Sequence, residues 1–173
     1  DVCLLVGRHQ QAEALRQALE RRGLATRLVS TGDVMATEGA TALQRFLDAL
    51  ADPGDGNRLR LLAASPLLAW SGDRLAATTP LQWSALAARL GGWADRLSSL
   101  GLLGALHQLL AQEGVARLTV RGRVLADLQQ VATLVQEQIQ ADALGPRAAA
   151  DWLRQRRLHP DPDPPEAQQI QSD

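Results

Sequence analysis

The hydrophobic pattern of this chain begins with a continuous apolar run, Val2-Cys3-Leu4-Leu5-Val6, that stops at Gly7. Such a run is what a parallel sheet buries on both faces. From about Gln10 the period changes to that of a helix, with Ala14, Leu15, Ala18 and Leu19 on one stripe and Glu13, Arg16, Gln17 and Glu20 opposite. Gly23 then supplies a C-terminal stop. Ala25 to Ser30 reads as a second strand, because Arg27 alternates with Leu28 and Val29 ahead of the turn Thr31-Gly32-Asp33. Strand, helix and strand together predict a right-handed βαβ unit, a corner of an α/β nucleotide-type domain. A sheet strand needs neighbours on both sides and nothing precedes this one, so the chain reads as cut from something larger.

The pattern changes beyond residue 50. Residues 40 to 50 carry Leu43, Phe46, Leu47 and Leu50 at helical spacing and run into Asp52-Pro53-Gly54-Asp55-Gly56-Asn57, a dense turn cluster that reads as a boundary. Only helical patterns follow. They are predicted over 57–64, ended by Ser65-Pro66; over 72–77, with Ser71 as cap; and over 80–90, opened by Pro80 and ended or kinked by Gly91-Gly92. Further helices are expected over 93–100 and 102–113, divided by Gly101; over 124–141, with Leu125, Leu128, Val131, Leu134, Val135 and Ile139 as its stripe; and over 146–157. His159-Pro160-Asp161-Pro162-Asp163-Pro164-Pro165 cannot be helical and reads as an extended linker.

Composition removes several function classes. With 173 residues the chain has material for one domain, or one and a fraction, with a sizeable core. It has no apolar stretch of membrane-spanning length and no signal-like amino end. Cys3 is its single cysteine, so no disulfide within the chain is possible. The 18 basic residues are all arginine and face 19 acids, and a net charge of −1 excludes a globally basic nucleic-acid protein while leaving room for a local basic face. Without lysine there is no Walker-type phosphate loop. His9, His107 and His159 are too scattered for a metal site. Ser65, Ser71, Ser98 and Ser99 lack a nucleophile-elbow context, and Asp73, Asp95 and Asp127 read as solvated or capping carboxylates. The segment by itself is therefore expected to be non-catalytic.

Several stretches resemble one family in the family's own order. Asp1 to Ala12, an apolar strand running into Gly7-Arg8-His9 and a helix rich in Gln and Ala, resembles motif IV of the UvrD/Rep group of superfamily 1 helicases. Thr26 to Leu50, with Asp33-Val34-Met35 before a helix ending at Asp52-Pro53, is similar to the next stretch of RecB-type members. Leu62-Ala63-Ala64-Ser65-Pro66-Leu67-Leu68-Ala69-Trp70-Ser71 resembles the "SPLFGLS" segment of RecB and AddA proteins, and Arg123-Val124-Leu125-Ala126-Asp127-Leu128 their "ERRLTDL" segment. Trp152-Leu153 is similar to their closing helix, and 168–173 to the lead-in to motif V.

The resemblance implies a mainly α fold, a helicase 2B-like helical subdomain attached to a small βαβ fragment of a RecA-like α/β domain. Its parts would be 1–52, part of the second RecA-like domain; 53–158, the 2B-like subdomain; and 159–173, a Pro-rich linker. It implies a parent that is an ATP-dependent DNA helicase and exodeoxyribonuclease V beta subunit of the bacterial cytoplasm. Such a parent uses ATP and Mg, acts on double-stranded DNA ends or forks in break repair and recombination, and assembles with the other exonuclease V subunits. Arg8 stands beside the position of the family's motif IV arginine, which meets the terminal phosphate of ATP; a solvent-facing arginine is the other reading. For DNA, the turn 65–72 would offer backbone amides to phosphate, although Ala69 replaces the family's glycine. Trp70 would stack on a base or pack in the core, and Arg117, Arg121 and Arg123 would touch backbone phosphate or form a salt-bridged face. Trp83 and Trp93 are core candidates, and Arg154, Arg156 and Arg157 share the ambiguity of the other arginines. Two further classes remain open: a scaffold docking on partner subunits, signalled by exposed apolar surface over 80–113, and an unrelated nucleotide-binding regulator.

Overall fold

The structure is a computed structural model that describes residues 4, 9–24, 26, 33–113 and 122–159. The strands expected over 2–6 and 25–30 fall, but for Leu4 and Thr26, outside the described residues, as does the Pro-rich segment after His159. What is described is helical: α1 (His9–Glu20), a 3-10 turn (Val34–Ala36), α2 (Glu38–Ala51), α3 (Gly56–Ala64), α4 (Gly72–Ala77), α5 (Pro80–Asp95), α6 (Leu97–Glu113), α7 (Gly122–Asp142) and α8 (Pro146–Leu158). No described helix is long and apolar enough to cross a membrane.

Helix α1 ends as its sequence dictates. Gly23 takes φ 77°, its N–H donates to Glu20 O at 2.9 Å, and Leu24 N–H reaches back to Leu19 O at 3.1 Å. That bond pair is the Schellman arrangement, which needs a left-handed residue at the glycine position. Leu15, Ala18 and Leu19 are half-buried while Gln17 and Glu20 are exposed, as the expected stripe has it, but Ala14 is exposed and Arg16 half-buried against it.

The core is organised around α2. Thr37 caps it, accepting from Ala40 N–H through its side chain. Leu43, Phe46 and Leu47 are fully buried and Leu50 nearly so. Gly39, Ala40, Ala42 and Ala49 are buried on its other faces, so α2 is wrapped by α3, α5, α7 and α8 instead of resting one stripe on the core. Small residues make that possible by letting neighbouring backbones approach. Helix α8 is tied on by hydrogen bonds as well as packing: Gln44 Nε2 donates to Ala150 O at 3.0 Å, and Arg157 donates to Met35 O at 3.1 Å and to Thr41 Oγ1 at 2.6 Å.

Two glycine signals act differently. Gly91-Gly92 neither ends nor kinks α5, which runs on to Asp95, and Trp93 belongs to its last turn instead of opening a new helix. The two glycines cost about 2 kcal/mol of helix propensity together. Against that, Leu86, Leu90 and Trp93 are buried along one face, and a capping box between Thr79 and Gln82 fixes the start. Gly101 does interrupt α6, at φ 73° and ψ 161°. The chain restarts there because Gln136 Oε1, from α7, accepts from Leu102 N–H at 2.5 Å and serves as the cap.

Ala69 and Ala143 hold positive φ, 48° and 51°, where a Cβ is strained. Ala143 sits just past α7, and Leu144 N–H returns to Ile139 O at 3.1 Å, the same helix-ending geometry that Gly23 occupies in α1. A left-handed non-glycine residue costs about 1–2 kcal/mol. Ala143→Gly and Ala69→Gly are each expected to stabilise the fold by about 1 kcal/mol, net of glycine's greater unfolded-state entropy. A rise in the urea midpoint at unchanged slope would establish it.

Candidate nucleic-acid interface

The turn after α3 is built on Ser65, a buried residue. Its hydroxyl donates to Leu62 O at 2.6 Å and accepts from Leu67 N–H at 3.3 Å. Leu68 N–H and Ala69 N–H both donate to Ser65 O, at 3.2 and 2.7 Å, and Trp70 N–H returns to Ala63 O at 2.9 Å. Pro66 has no N–H. Each amide from 67 to 70 therefore has a partner inside the turn, and Leu67 and Leu68 anchor it in the core. For residues 67–70 the expectation that this turn offers its amides to phosphate is thus corrected, because those donors hold the turn closed. The left-handed backbone at Ala69, where the resembling family has glycine, is what lets Trp70 double back.

What the turn presents is a side-chain stack. The Trp70 and Trp83 rings lie 5.4 Å apart, tilted by 44°. Arg74 of α4 places its guanidinium carbon 4.1 Å from the Trp70 ring centre, and Arg60 of α3 lies 5.5 Å from that of Trp83. Arg60, Trp83, Trp70 and Arg74 thus form one ladder across four segments of chain. Ser71 fixes its lower end by accepting from Arg74 N–H at 3.2 Å. A guanidinium stacked on an aromatic face keeps its N–H donors in its own plane, the geometry that suits phosphate oxygens. Beside the ladder, between α4 and α5, lies an open cleft of about 470 Å³ lined by Trp70, Arg74, Ala77, Gln82, Leu86 and Arg89 among others, with no carboxylate among the described lining residues.

The residues singled out from sequence fare unevenly. Trp70 is half-buried and packs against the core, the second of its two readings. Trp93 is a core residue, edge-on to Phe46, whereas Trp83 belongs to the ladder. Arg8 lies outside the described residues, and so do Arg117 and Arg121. Arg123 is exposed at the start of α7, 3.9 Å from the Asp127 carboxylate. Helix α7 packs on α2, α6 and α8, a different group of helices from the one that carries Trp70. Arg154 bridges Asp48 at 2.6 Å and also pairs with Asp151, so Arg154 and Arg157 are both engaged in fastening α8. Arg60, Arg74 and Arg89 were not selected from sequence; lone arginines on three helices carry no local signal, and only the fold assembles them around two tryptophans.

Asp127 is buried, not solvated, because the backbone of α7 sits directly on Gly39 of α2. Burial pushes its carboxyl above the usual value of 3.8, with Arg123 opposing. The folded state then holds this proton more tightly than the unfolded chain. Stability should fall as pH rises from 3.8 through the raised folded value, and the penalty is complete above it. Asp127→Asn is accordingly expected to be the more stable protein near neutral pH, the difference vanishing once both states are protonated. Paired denaturant titrations at about pH 7 and about pH 3 measure it.

No family model matches the chain. Two curated proteins, both named RecBCD enzyme subunit RecB and from two strains of Mycobacterium tuberculosis, are each 30% identical to it over 170 residues, which is 96% of this chain. The chain spans about 15% of the length of these relatives. Nearly all of it is therefore distantly related to a single stretch of RecB.

Proposed function

We infer that the chain is the helical subdomain, with its α/β lead-in, of a RecB-like DNA helicase and exonuclease subunit, and that it contacts DNA without catalysing a reaction. The observation that carries the DNA contact is the Arg60–Trp83–Trp70–Arg74 ladder with Arg89 in the adjoining cleft. The similarity to RecB supports the parent activity. Helix-borne arginines held over aromatic rings meet the phosphate backbone of a duplex end or fork, and they position it without reading sequence. The parts proposed are 1–52 for the RecA-like portion, 53–158 for the 2B-like subdomain and 159–173 for the linker.

ATP and Mg would be bound by the parent. This chain has no lysine and no phosphate-cradling glycine loop, and Arg8 is the one residue proposed to reach nucleotide, so no nucleotide step is assigned to the described residues. Partner subunits of an exonuclease V complex and a bacterial cytoplasmic setting belong to the same proposal. Exposed apolar surface over 80–113 would favour the scaffold alternative. Leu81 is the large apolar side chain strongly exposed there among the described residues, and α6 buries Leu102, Leu106, Leu109 and Leu110, which favours the DNA reading.

The test is anisotropy of a labelled forked duplex titrated with the chain at about 50 and about 200 mM salt. Three arginine–phosphate contacts predict a loss of affinity of about 40-fold over that range. Absence of binding at the lower salt would sink the DNA reading.

A further inference from the structure

The chain enters and leaves the α2–α8 body at one place. Val34 and Met35, in the 3-10 turn that leads into α2, are buried in the core, and Asp33 fixes that turn by accepting from Met35 N–H at 2.8 Å. In the last turn of α8, Arg157 donates to Met35 O at 3.1 Å and to Thr41 Oγ1 at 2.6 Å, partners 122 and 116 residues away in sequence. One guanidinium therefore bridges the entry and the exit. The two sides of that bridge are held differently. The entry turn is anchored by apolar burial. In α8, Ala149, Ala150 and Leu153 are buried and Gln44 holds Ala150 O, but no side chain after Leu153 is buried. Arg154 and Gln155 are exposed, Arg156 and Arg157 are half-buried, and Leu158 is 64% exposed.

We propose that the last turn of α8, residues 154–158, is a releasable strap, closed by Arg157, that holds the chain's exit from the helical body against its entry. The proposal stands apart from the DNA-contacting reading. Opening the strap breaks the two Arg157 bonds and the part-exposed Arg154–Asp48 pair, yet it uncovers no buried apolar side chain of α8. Such an opening takes only a fraction of the free energy of global unfolding. The Arg157 acceptors are a carbonyl and a hydroxyl, and burial works against its charge there, with Asp48 opposing that effect and Arg45 adding to it. The closing contact is therefore directional without being a tight ion pair. Once open, residues 154–158 join the connection that follows them and lengthen it by about 17 Å of extended chain. The strap thus sets how far whatever follows α8 can stand from the entry turn.

The test is amide hydrogen exchange, followed residue by residue by NMR, on the 173-residue chain and its Arg157→Ala and Thr41→Val variants. In the parent, amides 155–159 should exchange about a hundredfold faster than those of 43–50 in α2, and low urea should hardly change their rate, since a local opening exposes little surface. Thr41→Val removes one acceptor of the charged donor and should speed 155–159 about tenfold; Arg157→Ala removes both bonds and should speed them about a hundredfold. Alanine is the better helix former, so faster exchange in Arg157→Ala cannot come from intrinsic propensity. Thr41→Val leaves α8 unaltered and keeps the test open if Arg157→Ala folds poorly. Amides 36 and 37 of the entry turn and 150–153 of α8 should keep their parent rates in both variants. Exchange of 155–159 no faster than that of α2 in the parent, unchanged rates at 155–159 in the variants, or one common acceleration across 36–37, 43–50 and 150–159 would each overturn the strap.

Discussion

Phe46→Ala is expected to cost about 3–5 kcal/mol, a large share of the roughly 5–15 kcal/mol that a domain possesses. Phe46 is fully buried in the middle of α2, and its ring meets Trp93 of α5 edge-to-face with centroids 6.4 Å apart. Truncation removes the transfer free energy of the ring and that aromatic contact. It also leaves a cavity that α2 cannot collapse into, since α2 is held on several sides by α3, α5, α7 and α8. Phe46→Leu keeps most of the volume and should cost about 1 kcal/mol. Urea unfolding followed by far-ultraviolet circular dichroism measures both. A cost for Phe46→Ala no greater than for Phe46→Leu would mean that α2 is not the centre of the core.

Gly39→Ala is the second large effect, and its cause is backbone, not side chain. A Cβ on Gly39 would lie 2.6 Å from Leu128 N and 2.9 Å from Val124 O, both main-chain atoms of α7. Neither can swing aside as a side chain would, so α7 must move off α2 as a body. The expected loss is about 2–3 kcal/mol, toward the upper end for overpacking, and it exceeds the helix-propensity gain of replacing a glycine. Because the Asp127 backbone is part of the same approach, the displacement also lets water reach that carboxyl. The stability of Gly39→Ala should then depend less on pH between mild acid and neutrality than that of the parent.

The helical part of this fold was largely legible in the sequence, for local reasons. The stripe Leu43, Phe46, Leu47 and Leu50, the Ser71 cap, Pro80 at a first turn and the interruption at Gly101 are all local patterns, and all stand in the structure. Gly91-Gly92 misled because burial of Leu90 and Trp93 outweighs the propensity of their neighbours. Asp127 misled for a related reason: whether a helix-borne carboxylate is solvated depends on what packs on its helix, and that was set by Gly39, far away in sequence. The ladder was legible only as Trp70. Its partners come from α3, α4 and α5, and no spacing rule links Arg60 to Trp83 or Arg74 to Trp70. The turn at 65–72 was recognisable as a place of consequence, but which groups it exposes is decided by its internal hydrogen bonds, which engage the amides of 67–70 while Leu67 and Leu68 enter the core and Trp70 stays half-buried.

The central claim, that DNA meets this chain at the ladder, is tested most directly by comparing two groups of arginines in one forked-duplex titration across a salt series. Arg60→Ala with Arg74→Ala removes the ladder's cations, and the triple alanine variant of Arg117, Arg121 and Arg123 removes the cluster first suspected from sequence. The account predicts that the ladder pair weakens binding and reduces the slope of log affinity against log salt by about 2, while the triple variant leaves the slope near that of the parent. A slope unchanged in the ladder pair and reduced by about 3 in the triple variant would place the DNA on the other arginines and contradict it.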